Sequence, residues 1–392
     1  MGAQGGRDLR RRSWKAIVLV PLVGCAAALP LIVGKAGTTA VGAIYPLPRV
    51  GLGAERLAAP SYTDSGPPLL FVDQERVPGP GLLARAQVSG AVRLFGYEVP
   101  QAPAPLSFVW VLYNAGTRPV AVTVTDHAAA APSRRYLPLA ASVQRAFLAG
   151  AAPESFQIGA GSLHVLRDAS AAPAVRGQLA FSIYDLTLSG RLRVLAIASS
   201  DPAGLTPGTL PATYPGGGGI SALFPHDART ETVQFTRTRT ALAIGAHDAV
   251  DPGMVAPDTL TGGTERDGGN YGVTYNVRIL FPPSPAASTH LWVTAGTCAL
   301  RADALVRSGA LRGRVVQIPA VGALPTGDTA SALATVQLSM SHPSAFSFSM
   351  LPPAASCAPI RVQETPANPG SLPVRLYQRP AWRWLARALW GA

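Results

Sequence analysis

Glycine and proline interrupt this chain about every fifth residue, and no other feature restricts its fold as much. The 392 residues include 40 glycines and 37 prolines, about a fifth of the chain against a usual combined share of roughly 12%. Inside a helix a glycine costs about 1 kcal/mol and a proline about 3 kcal/mol relative to alanine. Heptads therefore cannot run unbroken, and a long coiled coil is excluded. Hydrophobic residues make up 48% and charged residues 14%, so ample apolar surface exists to bury and charge-driven disorder is excluded too. What remains is a chain of short apolar runs bounded by turns, which predicts an all-β fold.

Those runs are legible one by one. LLFVD (69–73), AVRLFGY (91–97), LSFVWVLYN (106–114) and PVAVTVTD (119–126) open the series. FQIGAGSLHVL (156–166), GQLAFSIYDL (177–186) and RLRVLAIAS (191–199) continue it. Their β-branched and aromatic content, cut by turn residues, has the spacing of a sandwich. Two runs flanking Asn114-Ala115-Gly116-Thr117 read as an antiparallel hairpin. Only Ser142 to Leu148 reads as a short helix. DPAGLTPGTLPATYPGGGG (201–219) reads as a Pro/Gly linker. Strand patterns resume after it, clearest in YGVTYNVRILF (271–281), where Val273, Tyr275, Val277 and Ile279 share one face. The expectation is two β-sandwich-like domains, 67–200 and 220–364. A stalk at 34–66 precedes them, and a basic amphipathic tail at 365–392 carries three of the six tryptophans.

The N-terminus suggests a location. RDLRRRSWK (7–15) precedes AIVLVPLVGCAAALPLIV (16–33), an uncharged stretch at the short end of what crosses a bilayer as a helix. Residues 1–33 then read as a signal peptide or a membrane anchor, with the remainder on the extracytoplasmic face of the membrane, or secreted if the signal is cleaved. Three forms stay open: an uncleaved transmembrane anchor, a signal cleaved near Ala26-Ala27-Ala28, and a lipoprotein signal. In the last, Leu22-Val23-Gly24-Cys25 makes Cys25 the lipidation candidate. With Cys25 set aside, Cys298 and Cys357 remain, and an even pair in an exported chain predicts one disulfide. It would close a loop of about 60 residues, worth roughly 4 kcal/mol on a chain-entropy account.

The net charge of +12 comes from 33 basic and 21 acidic residues, and Lys15 and Lys35 are the only lysines. The arginines are scattered and not interleaved with aromatics, so nucleic acid is not an expected partner. The membrane through the N-terminal segment, an anionic envelope polymer and another envelope protein are the expected partners.

Catalytic motifs are scarce. His127, His164, His226, His247, His290 and His342 form no H-E-x-x-H helix and no Cys/His cluster. His226-Asp227 and His247-Asp248, with Asp251, Asp258 and Asp267, could gather oxygen ligands, but their spacing matches no compact calcium loop, and a solvated acidic loop is the expectation. GAGSLH (159–164) lacks the G-x-S-x-G elbow, and no lysine follows Lys35 to complete an S-x-x-K. No metal and no cofactor are expected. A glycosidase needs only two carboxyls that meet in space, so a carbohydrate- or wall-polymer-acting hydrolase is the alternative to a non-catalytic structural or binding role. GGNYG (268–272) is the most distinctive short string. Asn270 and Tyr271 within it are candidate ligand contacts, against a turn in which Asn270 caps and Tyr271 packs.

Two stretches carry a resemblance. One runs from SGAVRLFGYE (89–98) through FVWVLYNAGTRPVAVTV (108–124) to Arg134-Arg135-Tyr136, and the other is GGNYGVTYNVRILF (268–281). They resemble exported β-rich proteins of Gram-positive bacteria, some found near copper-amine-oxidase-like stalk proteins. The resemblance covers about half the chain and implies no active-site residues and no copper centre.

Overall fold

The computed structural model describes residues 59–235 and 251–281 without interruption. It also describes 44–46, 51–52, 56–57, 240–246, 288–295, 300–308, 312–321, 332–341, 345–354 and 360–366. The chain is all-β with mixed sheets, as its glycine and proline spacing predicts.

The first strands are β1 (Ile44–Pro46), β2 (Gly51–Leu52), β3 (Arg56–Leu57), β4 (Ser61–Ser65), β5 (Leu69–Val77) and β6 (Gly81–Pro100). After them come β7 (Ser107–Tyr113), β8 (Val120–Ser133), helix α1 (Tyr136–Ala149), β9 (Glu154–Ile158), β10 (Leu163–Leu166) and β11 (Leu179–Ser199). Then follow β12 (Ile220–Phe224), β13 (Ala228–Gln234), β14 (Thr240–Ile244), β15 (Met254–Pro257), β16 (Thr264–Asp267) and β17 (Thr274–Leu280). The remaining strands are β18 (Ser288–Ala295), β19 (Leu300–Val306), β20 (Val315–Val321), β21 (Ala332–Ser341), β22 (Ala345–Met350) and β23 (Ile360–Pro366).

An antiparallel ladder between β6 and β11 organises the first half. Its register shifts between Leu188 and Leu192, opposite Gly90, whose φ of 72° is open to glycine without strain. The ladder bends there. Leu83 and Val88 before the bend pack in one cluster with Leu94, Leu186 and Val194. The other face of the far half carries Phe71, Phe95, Tyr97 and Phe181 into a second cluster. Phe71 stacks on Phe95 with centroids 5.0 Å apart, and Phe181 meets Phe95 edge-on at 5.0 Å. Leu69, Leu70, Phe71 and Val72 are therefore all buried, because β5 has apolar neighbours on both faces.

The hairpin expected around Asn114 does not form. β7 pairs with 193–199 of β11, and β8 pairs with 179–188 of the same strand. The two runs thus follow one another along a single edge of β11, and the turn between them is held by Asn114, which donates to the carbonyls of Arg118 and Ile158. A continuous 21-residue edge offers both runs more pairing than they offer each other.

Helix α1 covers the second cluster with Leu139, Ala140, Val143 and Phe147, one face at helical spacing. It extends the helix read at Ser142–Leu148 by two turns. Each fully buried side chain of this size contributes about 1.5–3 kcal/mol. Gly150 ends the helix, its N–H reaching the Phe147 carbonyl at 3.1 Å.

The 201–219 segment is applied to the sheet. Leu205 and Leu210 pack against Leu82, Val109, Val111, Leu195 and Ile197. The Leu82 N–H donates to the Thr213 carbonyl at 2.9 Å, and the Tyr214 hydroxyl donates to Gln74 at 2.8 Å. Beyond it β12 pairs with β5. Residues 61–65, within the stretch read as a stalk, form β4 and pair with β13, and β1, β2 and β3 join strands of the second half. The second half builds one sheet in the order β20-β19-β22-β17-β13-β4 and another containing β21, β18, β23 and β14. Phe235, Tyr275, Val277, Ile279 and Phe348 join Phe95 and Phe181 in the same cluster.

Two sequence expectations are corrected. No helix among the described residues is long and apolar enough to cross a membrane, which stands against the transmembrane reading. No disulfide occurs among the described residues either; what ties the described fold together is apolar burial and buried arginine–carboxylate pairs. Cys25, Cys298, Cys357, the 16–33 run and the tail beyond residue 366 lie outside the described residues.

Candidate functional site: a two-carboxylate pocket

The turn that carries GGNYG is assembled from inside the protein. Asn270 has a left-handed φ of 50°, a conformation that asparagine tolerates better than most residues. It is fully buried, and its Oδ1 accepts from the Met254 N–H at 2.8 Å while its Nδ2 donates to the Tyr275 hydroxyl at 2.7 Å. Tyr275 in turn donates to Asp251 at 2.9 Å. Arg229 pairs with Asp64 at 2.7 and 2.9 Å, bonds Asp251, and donates to the Pro252 carbonyl at 2.8 Å. The Tyr62 ring lies 4.5 Å from its guanidinium carbon. β4, β13, β17 and the 251–254 segment are thereby tied to one arginine.

Arg93 does the same between the two halves. It forks onto Asp185 at 2.7 and 2.9 Å and pairs with Asp227 at 3.1 Å. Its Nη1 donates to the carbonyls of Asp227 and Gly272 and to the Thr274 hydroxyl. Burial pushes Asp227 up to about 6 although Arg93 pulls it down.

This scaffold places Tyr271 at a pocket of about 280 Å³ lined by Phe71, Asp73, Ile220, Asp267, Gly268, Gly269 and Tyr271. Asp73 shares the face of Leu69 and Phe71 and pairs across the sheet with Ile220 and Tyr97. Asp267 ends β16 and is 1% exposed. Its Oδ1 accepts the Gly269 N–H at 3.1 Å, which closes the turn. Asp267 Oδ2 and Asp73 Oδ1 are buried and have no hydrogen-bond partner among the described residues. Burial pushes Asp73 up to about 7, with a further push from Glu75. It pushes Asp267 up to about 7 against the backbone N–H groups of Tyr271 and Gly269. Asp73 and Asp267 are both among the residues lining this pocket, and burial brings both carboxyls near neutrality.

A second pocket, about 360 Å³, gathers His127, Glu154, His164, Arg167, Asp168 and Tyr184. Phe156 stacks on His164 at 4.0 Å and Tyr184 on His127 at 5.7 Å. Asp168 is occupied, accepting from Tyr184, from the Ser170 N–H and from the Ser170 hydroxyl. Burial lowers His164, which keeps its ring neutral near pH 7.

The acids that could have gathered as oxygen ligands are instead dispersed. Asp227 goes to Arg93, Asp251 to Arg229 and Asp258 to the Leu260 and Thr261 N–H groups of its own turn. His247 and Asp248 lie outside the described residues, and no group of three or more metal-ligating side chains occurs among the described ones. Of the two candidate contacts, Tyr271 lines the first pocket, and Asn270 is turned into the core behind it. Sequence reading missed Asp73. Its signal is an acid at the third inward position of a strand whose first four residues are all apolar.

No family model matches the chain, and no curated protein matches it. Among solved structures it is similar to one titled "Structure of the Macrobrachium rosenbergii Nodavirus". That match is at 12% identity over 91% of this chain and 100% of that one, with a TM-score of 0.14, too low to show a shared fold.

Proposed function

We propose that the chain is an exported, non-catalytic envelope protein that binds a small donor-rich ligand in the Asp73–Asp267 pocket. The observation that carries the binding reading is a pocket of about 280 Å³ whose lining residues include two acids, Asp73 and Asp267, beside Phe71, Ile220 and Tyr271. The basic block at 7–15 and the apolar run at 16–33 support export. Two sandwich-like layers, one around the bent β6–β11 ladder and one around β13, β17 and β22, supply the rigid frame. Saturation-transfer NMR of the full chain with N-acetylglucosamine and n-butylamine tests the reading. At least one probe is expected to bind wild type and to lose its signal in Asp73→Asn. Absence of transfer from both overturns it.

The alternative is a hydrolase, favoured by one observation: both carboxyls are held near pH 7, where one could donate and the other accept a proton. Turnover of chromogenic glycosides that disappears in Asp267→Asn would establish that alternative.

A further inference from the structure

We propose that the rim where β5, β6, β8 and β11 come to one end of their sheet binds a linear phosphate polymer without bases, through Arg76, Arg134, Arg135 and Arg176. This surface is separate from the pocket above and does not depend on it. The arginines are scattered in sequence, and the fold gathers these four. β8 pairs with β11, β11 with β6 and β6 with β5, so that the ends at Ser133, Leu179, Pro100 and Val77 lie side by side. The Gly177 N–H donates to the Pro100 carbonyl at 2.9 Å and the Gln101 N–H to the Val77 carbonyl at 2.7 Å, which fixes the alignment. Arg134 and Arg135 directly follow β8, Arg176 lies just before β11, and Arg76 is next to last in β5. All four are exposed.

None of the four is spent on a carboxylate among the described residues, whose ion pairs belong to Arg93, Arg145 and Arg229. Arg134 Nη2 donates to the Arg176 carbonyl at 3.3 Å, and Arg176 Nε donates to Gln101 Oε1 at 3.2 Å. A guanidinium carries five N–H donors, so these contacts leave most of each fork free for a ligand. The acids nearby do not cancel the charge. Tyr136, raised by burial, feels both Glu75 and Arg134, which places that one carboxylate at the same corner as the arginines. Glu98 on β6 is buried and held neutral by burial. Helix α1 starts here as well, with Arg135 at its N-cap and no acid in its first turn. The partial positive charge of a helix N-terminus adds to that of the arginines.

Geometry and chemistry select the partner. The guanidinium fork matches phosphate oxygens. Neighbouring strands lie about 4.8 Å apart, so four strand ends span about 14 Å, more than one phosphate ion bridges. A chain of phosphates can meet several arginines at once. Nucleic acid and bilayer fit less well. The exposed large apolar residues among the described ones are Tyr62, Val175 and Val255, and Val175 is the one beside the rim. Tyr136 packs against the core cluster, with its hydroxyl on the Gly177 carbonyl. The rim therefore offers bases no aromatic platform and a bilayer no apolar face to insert.

The test is titration of the full chain with sodium polyphosphate, poly(glycerol phosphate), orthophosphate, poly-L-glutamate, oligothymidylate and phosphatidylglycerol vesicles, read by calorimetry. Expected are binding of at least one phosphate polymer, at least tenfold weaker binding of orthophosphate per phosphate, and weakening by added salt. The variant Arg134→Gln/Arg135→Gln/Arg176→Gln should lose at least tenfold. A control, Arg85→Gln/Arg118→Gln/Arg191→Gln, removes as much charge from exposed positions away from the rim and should lose less than threefold. The basic block at 7–15 is present in both variants, so their comparison isolates the rim. If the first variant does not fold, Arg176→Gln alone carries the test, with at least a threefold loss. Tighter binding of poly(glycerol phosphate) than of polyphosphate assigns a phosphodiester chain, and the reverse a phosphoanhydride chain; both support the proposal. Equal losses in the two triple variants overturn it, because net charge alone would then explain binding. Oligothymidylate, the vesicles or poly-L-glutamate bound at least as tightly as both phosphate polymers overturns it too, as does silence from both polymers.

Discussion

At the scale of single residues, two buried arginines matter most. Arg93 uses Nε, Nη1 and Nη2 on groups from β11, the 227 segment and the 272–274 segment. Removing it strands Asp185 and Asp227 without their cation, and loss of one partner of a buried pair costs about 3–5 kcal/mol. Arg93→Met is therefore expected to lower stability by that order in urea unfolding, and Asp227→Asn by less. A second expectation concerns pH. Asp73 and Asp267 sit at about 7 and Glu231 at about 8, all raised chiefly by burial. The unfolded chain holds these protons only below about 4. The native state binds them more tightly, so their stabilising contribution is full below pH 4 and is lost as pH rises through 7–8. The melting temperature should fall between pH 5.5 and pH 8.5, and Glu231→Gln should flatten the decline. A melting temperature that rises over that interval would contradict this account.

At the scale of elements, the bend in the β6–β11 ladder and the GGNYG turn each depend on glycine where a side chain has no room. Gly190 lies at the β11 irregularity, where an added Cβ would stand 3.0 Å from the Val120 side chain. Gly272 has φ of 78°, and a Cβ there would meet the Phe95 ring at 3.0 Å. Gly272→Ala is expected to cost about 1–3 kcal/mol, from left-handed strain on a non-glycine residue and from crowding of the ring. It should also weaken ligand binding, because the turn it enters carries Tyr271. Chemical denaturation and saturation-transfer NMR with n-butylamine read the two effects separately. Truncating the ring that holds the layers together is costlier: Phe181→Ala, fully buried between Phe95 and Tyr97, should lose about 3–5 kcal/mol.

At the scale of the whole described fold, strands cross the 201–219 segment in both directions. β12 completes the sheet of β5, β4 completes the sheet of β13, and Phe95 and Phe181 share their cluster with Tyr275 and Phe348. Residues 67–200 expressed alone would expose Phe71, Phe95 and the buried face of α1, and they are expected to bind hydrophobic dye or aggregate. Chain cleaved within 201–219 should stay together on size-exclusion chromatography and separate only in denaturant. Independent elution of two folded fragments after such cleavage would show that the shared cluster does not hold them.

Local chemistry made part of this visible without a structure. Glycine and proline spacing excludes long helices. β-branched and aromatic runs mark β5, β7, β8, β11 and β17, and Ser142–Leu148 marks the centre of α1. The string GGNYG announces a turn, because left-handed backbone favours Gly and Asn. All of these depend on neighbours a few residues apart. Pairing does not: β7 and β8 are close in sequence and still choose β11 over each other, since the longer edge satisfies more backbone groups. The pocket belongs to the same class. Asp73 and Asp267 are far apart in sequence, and only the pairing of β12 with β5 and the anchoring of the 267–271 turn by Asn270 and Arg229 set them in one cavity. Period-two patterning reports which face a residue takes, but which element lies opposite is decided by tertiary packing alone.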